Sequence, residues 1–274
     1  MDAALKNSLL KTATKVRIGI IESIHSAKAG HPGGSLSCAD ILTYLYFAHM
    51  NIDPQNPQKA DRDRLVLSKG HAAPALYSVL AHRGFFSTDL LLTLRKQGSI
   101  LQGHPDMKHI PGVDMSSGSL GQGISCAVGM ALSAKHFGDN YKVYTILGDG
   151  EIEEGQVWEA AMAAAHYKLD NLCAVLDYNK LQIDGCVHDV MSPAPLDKKF
   201  EAFGWHVIEI DGHDFEQINK AFEEAKTIKG KPTLILANTI KGKGVSFMEN
   251  NANWHGVAPK PEECEAALKE LGGE

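Results

Sequence analysis

The spacing of apolar and polar positions predicts that the second half of the chain alternates between strands and helices. Continuous apolar runs predict strands at 142–147, 171–176, 205–210 and 233–237. Helical spacing predicts helices at 154–167 and 215–226, between successive strands. Such alternation is typical of a parallel sheet with helices on both faces. The sequence therefore predicts an α/β fold with a doubly wound, mostly parallel sheet.

The first half of the chain is predicted to be mainly helical. Apolar positions at helical spacing indicate a helix at 4–28, and helical character resumes at Ser35 after a Gly-His-Pro-Gly-Gly break. Further along, we predict a strand at 64–67 and helices at 74–82 and 120–135, the last rich in Gly, Ala and Ser. Residues 84–117 are irregular, which is long for a passive connection and indicates a functional loop. Without repeats or linkers, residues 1–274 are interpreted as a single domain with a helical N-terminal extension.

Composition restricts the classes of partner. The 274 residues are 44% hydrophobic and 22% charged, which is ordinary globular composition. The net charge is -6 and no basic stripe occurs, so neither nucleic acid nor an anionic membrane is expected as a partner. We find no signal peptide and no apolar run of membrane-spanning length, and therefore expect a cytoplasmic protein. Five scattered cysteines without a CxxC pair are expected to be reduced thiols.

Short polar clusters follow two consecutive predicted strands. Gly148-Asp149-Gly150 ends the first, and Asp177-Tyr178-Asn179 ends the second. Parallel strands bring their carboxyl ends to one edge of the sheet, so Asp149 and Asn179 are expected to face one site. Their oxygens form an incomplete octahedral set, which suits Mg²⁺ completed by ligand phosphates. A GDG triplet alone is more often a turn, but the second cluster about 30 residues later favours a metal site.

These segments resemble a known family. "GDGEIEEGQVWEAAMAAAHYKLDNLCAVLDYN" resembles the thiamine-diphosphate fingerprint, which begins with GDG and ends in asparagine. "AGHPGGSLS", "LSKGHAAPALY", "LQGHPD", "SSGSLGQGISCAVGMAL", "NKLQIDG" and "WHG" resemble the N-terminal region of transketolases, in order and across nearly the whole chain. The resemblance implies the thiamine-diphosphate-binding fold, in particular its diphosphate-binding domain.

The resemblance also implies a set of cofactor and metal ligands. The cofactors are thiamine diphosphate and Mg²⁺, with Ca²⁺ or Mn²⁺ as possible substitutes. Asp149, Asn179 and the carbonyl of Leu181 are expected to bind the metal ion. The other expected cofactor contacts are Gly150 against the diphosphate, Ile183 under the thiazolium, Gly118 and Leu120 near the aminopyrimidine, and Glu154 in a relay to a glutamate of a partner chain.

Histidines beside glycines are the candidate acids and bases. Ketol transfer moves protons near neutral pH, which imidazole can do in either direction. The resemblance implies that His71 contacts the diphosphate, His104 faces the reacting carbon, and His31 and His255 line the substrate funnel. Two further residues have other interpretations. Lys241 either reaches a phosphate or is solvated, and His213 is expected only to organise the entry to the next helix.

The resemblance covers only the diphosphate-binding part of a transketolase, which implies a C-terminal partner chain with the pyrimidine-binding domain. A naturally split enzyme is favoured over an engineered fragment. We expect a heterotetramer of two plus two chains that transfers a two-carbon ketol unit between sugar phosphates, as in the pentose phosphate pathway. Alternatives are a related thiamine-diphosphate synthase, a transketolase for an unusual sugar, or a non-catalytic diphosphate-binding module. "GSLGQG" at 118–123 follows no predicted strand, so hydride transfer is a weak alternative.

Overall fold

The computed structural model describes residues 1–272, and its centre is a five-stranded, wholly parallel sheet. The strand order is β1-β2-β3-β7-β6. This confirms the predicted fold class, and the predicted strands agree with the observed ones to within two residues. The sheet strands are β1 (Arg64–Leu67), β2 (Val143–Gly148), β3 (Leu172–Tyr178), β6 (His206–Asp211) and β7 (Thr233–Asn238).

Helices and a small hairpin complete the fold. A separate antiparallel pair, β4 (Leu181–Gln182) and β5 (Gly185–Cys186), follows β3. The irregular stretch predicted at 84–117 contains one short 3-10 helix, Thr88–Thr93. The helices are α1 (Ala3–Ala27), α2 (Pro32–Ser37), α3 (Ala39–Tyr44), α4 (Ala73–Arg83), α5 (Gln122–Phe137), α6 (Gly155–His166), α7 (Val187–Val190), α8 (Leu196–Ala202), α9 (Phe215–Thr227) and α10 (Pro261–Glu270).

Alternate residues of each strand point into two different apolar layers. In β3, Cys173 and Val175 pack with α1, α3, α4 and α9, whereas Leu172, Ala174 and Leu176 pack with α5, α6 and α8. Side chains of a strand alternate between its faces, so each face of the sheet is covered by its own layer of helices. The result is the expected three-layer arrangement.

The order of the strands reverses between β3 and β7, because the step from β2 to β3 and the step from β6 to β7 run in opposite directions across the sheet. Helix α6, which connects β2 to β3, and helix α9, which connects β6 to β7, lie on opposite faces. Because such crossovers are right-handed, the two connections run in opposite directions across the sheet. The carboxyl ends of β3 and β7 pair at Tyr178 and Asn238, at the point of reversal. Ligands of open α/β sheets bind at this position.

Within residues 1–272, no helix combines the length and the apolar character that crossing a membrane requires.

Candidate active site

A cleft of about 320 Å³ opens above the carboxyl ends of β2 and β3. Most residues predicted for the cofactor site lie in its wall, although they come from separate parts of the sequence. The predicted residues that line it are His71, Leu120, Asp149, Gly150, Glu154, Asn179, Leu181, Ile183, Lys241 and His255. The structure therefore brings together the two strand-end clusters and the surrounding loops.

Asp149 lies at the floor of the cleft and is only 2% exposed. One carboxylate oxygen accepts the Gly150 amide at 2.9 Å, and the other accepts the Lys180 amide. Burial and the nearby charge of Asp177 raise the pKa of Asp149 to about 7. A carboxylate this strongly desolvated is stabilised by a cation.

Asn179 and Leu181 lie beside Asp149 in the same wall. The Asn179 side-chain oxygen accepts the Leu181 amide at 3.1 Å, which orients the turn after β3. The Leu181 carbonyl accepts a hydrogen bond from Lys241 Nζ at 2.9 Å. The carbonyl thus faces a cationic group in this structure.

The donor set fits a small divalent ion. Among residues 1–272, no group of three or more His, Cys, Asp or Glu side chains is arranged to hold a metal ion. A metal in this cleft would depend on the Asp149 carboxylate together with amide and carbonyl oxygens. Hard oxygen donors that leave positions for phosphate and water are typical of Mg²⁺. The residues present are therefore compatible with Mg²⁺ and a diphosphate.

A buried ion pair supports the floor of the cleft. Lys69 Nζ, on a side chain 1% exposed, contacts Asp177 Oδ2, on a side chain 0% exposed, and also donates to the Gly34 carbonyl at 2.7 Å. Thr239 donates to the second carboxylate oxygen of Asp177. The Lys69 charge and these hydrogen bonds outweigh burial and lower the pKa of Asp177. Sequence reasoning missed Lys69, although it follows β1 just as Asp149 follows β2.

Glu151 is a second residue that sequence reasoning missed. It is 2% exposed and accepts the Gly121 amide at 2.9 Å and the Gly148 amide at 2.9 Å. Ser68 also donates to its carboxylate. Glu151 therefore ties the ends of β1 and β2 to the start of α5.

Lys241 is buried, so the alternative of a solvated lysine is wrong. It is 2% exposed, and its Nζ contacts His255 Nδ1 at 2.9 Å as well as the Leu181 carbonyl. Burial and the charge of Lys69 lower the pKa of Lys241 to about 8. Its ammonium group lies where a phosphate entering the cleft could accept a hydrogen bond.

Three of the four predicted histidines form a triangle at one end of the cleft. The ring centroids of His31, His71 and His255 are 5.2 to 5.4 Å apart. Burial, with smaller effects of neighbouring cations, lowers the pKa of His31 to about 4 and of His255 to about 3, and that of His71 well below its usual value. All three rings are neutral near pH 7, so each can donate a hydrogen bond from one nitrogen and accept one at the other.

His104 lies outside the lining of this cleft and is exposed. It packs against Gly118, where an added Cβ would lie 3.1 Å from the His104 ring. Gly118 has a φ of 149°, which favours glycine. Tyr77 donates to the His104 carbonyl at 2.8 Å and anchors the loop. The charge of Arg95 adds to burial in lowering the pKa of His104.

The rim of the cleft carries exposed aliphatic and acidic side chains. Leu120 is 36% exposed and Ile183 is 66% exposed. Glu154 is also exposed, at the N-terminus of α6. Gly150 lies under Gln182, whose Cβ would be 2.9 Å from a Cβ added to Gly150.

The expectation that His213 only organises the entry to α9 is wrong. Asp214, not His213, caps that helix by accepting the Glu216 amide. The His213 ring instead contacts Asp40 at 2.8 Å and the Ile240 amide at 2.9 Å.

Comparison with known proteins gives consistent matches. Residues 9–274 match the family described as "Transketolase, thiamine diphosphate binding domain". The chain is 50% identical to the 6-deoxy-6-sulfo-D-fructose transketolase subunit of Clostridium sp. (strain MSTE9), over 94% of each chain. It is 46% identical to one subunit of the apulose-4-phosphate transketolase of Phocaeicola vulgatus, over 94% of this chain and 91% of that protein.

Solved structures show the same fold. The transketolase of Campylobacter jejuni superimposes with a TM-score of 0.92 at 36% identity, over 100% of this chain and 44% of that chain. This chain therefore spans less than half the length of that transketolase but nearly the full length of the two subunits.

Proposed function

This chain belongs to the transketolase family and corresponds to its thiamine-diphosphate-binding N-terminal domain, and we propose that it holds the cofactor diphosphate and Mg²⁺ in a two-chain transketolase. The observation that carries the proposal is the convergence of Asp149, Asn179 and the Leu181 carbonyl in one cleft, with the Lys241 ammonium group beside them. These groups provide oxygen ligands for a metal ion and a cation for a phosphate.

The residues of this chain would bind and orient the cofactor and handle protons. When bound, thiamine diphosphate supplies the carbon nucleophile for transfer of a two-carbon ketol unit. Asp149, Asn179 and Leu181 would hold the metal, while His71 and Lys241 would contact the diphosphate. His31, His255 and His104 would donate hydrogen bonds to substrate hydroxyls or accept hydrogen bonds or protons from them, because a neutral imidazole has one donor and one acceptor nitrogen.

The exposed rim supports the proposal of a partner chain. Leu120, Ile183 and Glu154 surround the cleft but have no covering element among residues 1–272. Exposed aliphatic side chains around a binding cleft are compatible with a protein–protein interface. Relatives of nearly the same length are named as subunits. We therefore propose a C-terminal partner with the pyrimidine-binding domain, and a heterotetramer of two plus two chains.

The sugar substrate has two candidate classes. The first is a ketose phosphate donor with an aldose phosphate acceptor, as in the pentose phosphate pathway. The second is an unusual sugar, which is favoured by relatives named for 6-deoxy-6-sulfo-D-fructose and apulose-4-phosphate. The partner chain would decide between them if it binds the far end of the sugar.

Reconstitution tests the enzymatic proposal. This chain and a matching C-terminal partner would be mixed with thiamine diphosphate and Mg²⁺, and ketol transfer would be followed with xylulose 5-phosphate and with the sugars named for the relatives. We expect transfer with the pair and none with either chain alone. Activity only with an unusual sugar would select the second class, and no transfer despite tight association would refute the enzymatic role.

A substitution tests the metal site directly. We expect Asp149→Ala to abolish the Mg²⁺-dependent part of cofactor affinity in the assembled enzyme, measured by calorimetric titration. Asp184→Ala is the matched control, because Asp184 is an exposed carboxylate in the same wall. Unchanged affinity in Asp149→Ala would contradict the assignment.

A further inference from the structure

The ring of His213 connects two buried networks that lie on either side of it. Its Nδ1 is 2.8 Å from Asp40 Oδ2, in α3, and its Nε2 is 2.9 Å from the amide of Ile240. The side chain is only 12% exposed. Ile240 directly precedes Lys241, so the ring contacts the backbone one residue before the lysine that lines the cleft.

These contacts define one tautomer of the ring. The Ile240 amide can only donate, so Nε2 must accept and carries no proton. The Asp40 carboxylate accepts, so Nδ1 carries the proton. Both ring nitrogens are therefore satisfied by a neutral imidazole, and the orientation of the ring is determined by Asp40.

Asp40 is itself held in place by a buried arginine. Arg17 donates to both Asp40 oxygens, at 2.9 and 2.6 Å, and its Nε donates to the Lys243 carbonyl at 3.0 Å. Although burial opposes ionisation, Arg17 and His213 lower the pKa of Asp40 to about 2. The carboxylate is therefore ionised and fixed by a two-point contact. Arg17 thus contacts both Asp40 and the segment that follows Lys241.

A glycine allows His213 to approach the segment after β7. A Cβ on Gly212 would lie 2.5 Å from Thr239 Cγ2, so any larger residue would push the two segments apart. The Gly212 amide donates to the Asn238 carbonyl at 2.8 Å. The turn after β6 is therefore packed directly against the segment that carries Lys241.

Successive residues of this segment contact different partners. Thr239 bonds to Asp177, the Ile240 amide bonds to His213, and Lys241 Nζ bonds to Leu181 and His255. The Ile240 contact is the one made by the turn after β6, which does not line the cleft. Without this contact, the Ile240 amide would lose its acceptor, and the backbone that precedes Lys241 would be held less firmly.

We propose that His213 is a positioning residue for Lys241: its ring, oriented by Asp40, accepts the Ile240 amide and fixes the backbone from which Lys241 reaches the diphosphate cleft. The inference rests on the proposed role of Lys241 in diphosphate binding. It assigns to the Asp40–His213 pair a function at a site that neither residue touches.

Hydrogen exchange measures the proposed contact in the assembled enzyme without cofactor. We expect His213→Ala to speed amide exchange at 239–242 by about tenfold or more, because a buried amide loses its acceptor. His213→Gln should restore most of the protection, since its amide oxygen can accept and its NH₂ can donate to Asp40. His206→Ala is the matched control, because His206 pairs with Glu224 at 2.7 Å away from this segment. Unchanged exchange in His213→Ala would overturn the proposal.

Cofactor affinity separates this inference from the proposed function. In the assembled enzyme with Mg²⁺, we expect Lys241→Ala and His213→Ala each to weaken thiamine diphosphate binding, by about tenfold for His213→Ala, and the double variant to bind no worse than Lys241→Ala. If Lys241→Ala has no effect, the role of Lys241 in the proposed function fails. If only His213→Ala has no effect, or if the two effects add fully, the positioning role of His213 fails.

The tautomer can be read without any substitution, should His213→Ala fail to fold. Nitrogen-15 NMR of the histidine side chains should show His213 protonated at Nδ1 and unprotonated at Nε2. A proton at Nε2 would overturn the proposal, because that nitrogen could not then accept the Ile240 amide.

Discussion

Replacing Lys69 by methionine should strongly destabilise the chain. The substitution keeps the length of the side chain but removes the charge that pairs with Asp177. It leaves the Asp177 carboxylate, which is 0% exposed, with hydrogen bonds from Ser37, Thr239 and the Asn179 amide group but with no cation paired to it. The Gly34 carbonyl also loses its donor. The perturbation is therefore an uncompensated buried charge below the cleft.

The magnitude follows from the burial of both partners. Removing one member of a buried ion pair typically costs about 3 to 5 kcal/mol. For 274 residues, an unfolding entropy of about 2.1 cal/mol/K per residue gives a shift of roughly 2 °C per kcal/mol. We therefore expect Lys69→Met to lower the melting temperature by about 5 to 9 °C.

Scanning calorimetry at neutral pH would measure this shift. Lys6→Met is the matched control, because Lys6 pairs with Glu216 at 2.7 Å on side chains that are 38% and 50% exposed. Its effect should be several times smaller, since exposed pairs contribute little. Adding Asp177→Asn to Lys69→Met should recover part of the loss. A drop in Lys69→Met no larger than in Lys6→Met would refute the reasoning.

Three further predictions concern other parts of the chain. Burial lowers the pKa of His49 to about 4 from a usual value of 6.5, so its contribution to stability is complete above pH 6.5 and is lost as the pH falls towards 4. Because His31, His71 and His255 lose their own contributions over the same range, we expect the loss of stability between pH 8 and pH 5, measured by thermal unfolding, to be about 2 kcal/mol smaller in His49→Phe than in the original chain. Gly70→Ala should lower the free energy of unfolding by about 1 to 3 kcal/mol, because the added Cβ would lie 2.7 Å from the Gly118 amide nitrogen. Gly129→Ala in α5 should raise it by about 0.5 to 1 kcal/mol, because no atom lies within 4 Å of the added Cβ. Equal effects of the two substitutions in urea unfolding would contradict this. His104→Ala should slow turnover of the assembled enzyme while leaving cofactor affinity nearly intact, and a defect in affinity alone would contradict its role.

The sequence predicts the elements of the fold and the floor of the site because both follow local rules. The periodicity of apolar residues gives the order of strands and helices. Parallel strands bring their carboxyl ends to the same edge of the sheet, which places Asp149 and Asn179 together. The position of β7 beside β3 is not local information, because alternation does not say which strand lies next to which. The same limit applies to Lys69 and Asp177, which meet across 108 positions of sequence. A search of every strand end for polar residues would have found Lys69 after β1.

The burial of Lys241 and the contacts of His213 depend on tertiary packing. A lysine in a glycine-rich segment is usually solvated, and only the approach of Leu181 and His255 places this one inside. His213 is one of five histidines beside a glycine, and nothing in that pattern indicates that its ring contacts Asp40 and Ile240. Such contacts bring together residues from α3, the turn after β6 and the segment after β7.

The three neutral imidazoles differ in their freedom to adapt to a ligand. His255 has its Nδ1 engaged by Lys241, whereas His31 Nδ1 is buried without a hydrogen-bond partner among residues 1–272. An imidazole with a free nitrogen can exchange its donor and acceptor positions by changing tautomer, at no cost in net charge. His31 could therefore present either a donor or an acceptor to a ligand in the cleft. His255, held by Lys241, keeps one fixed arrangement of donor and acceptor beside this adaptable ring.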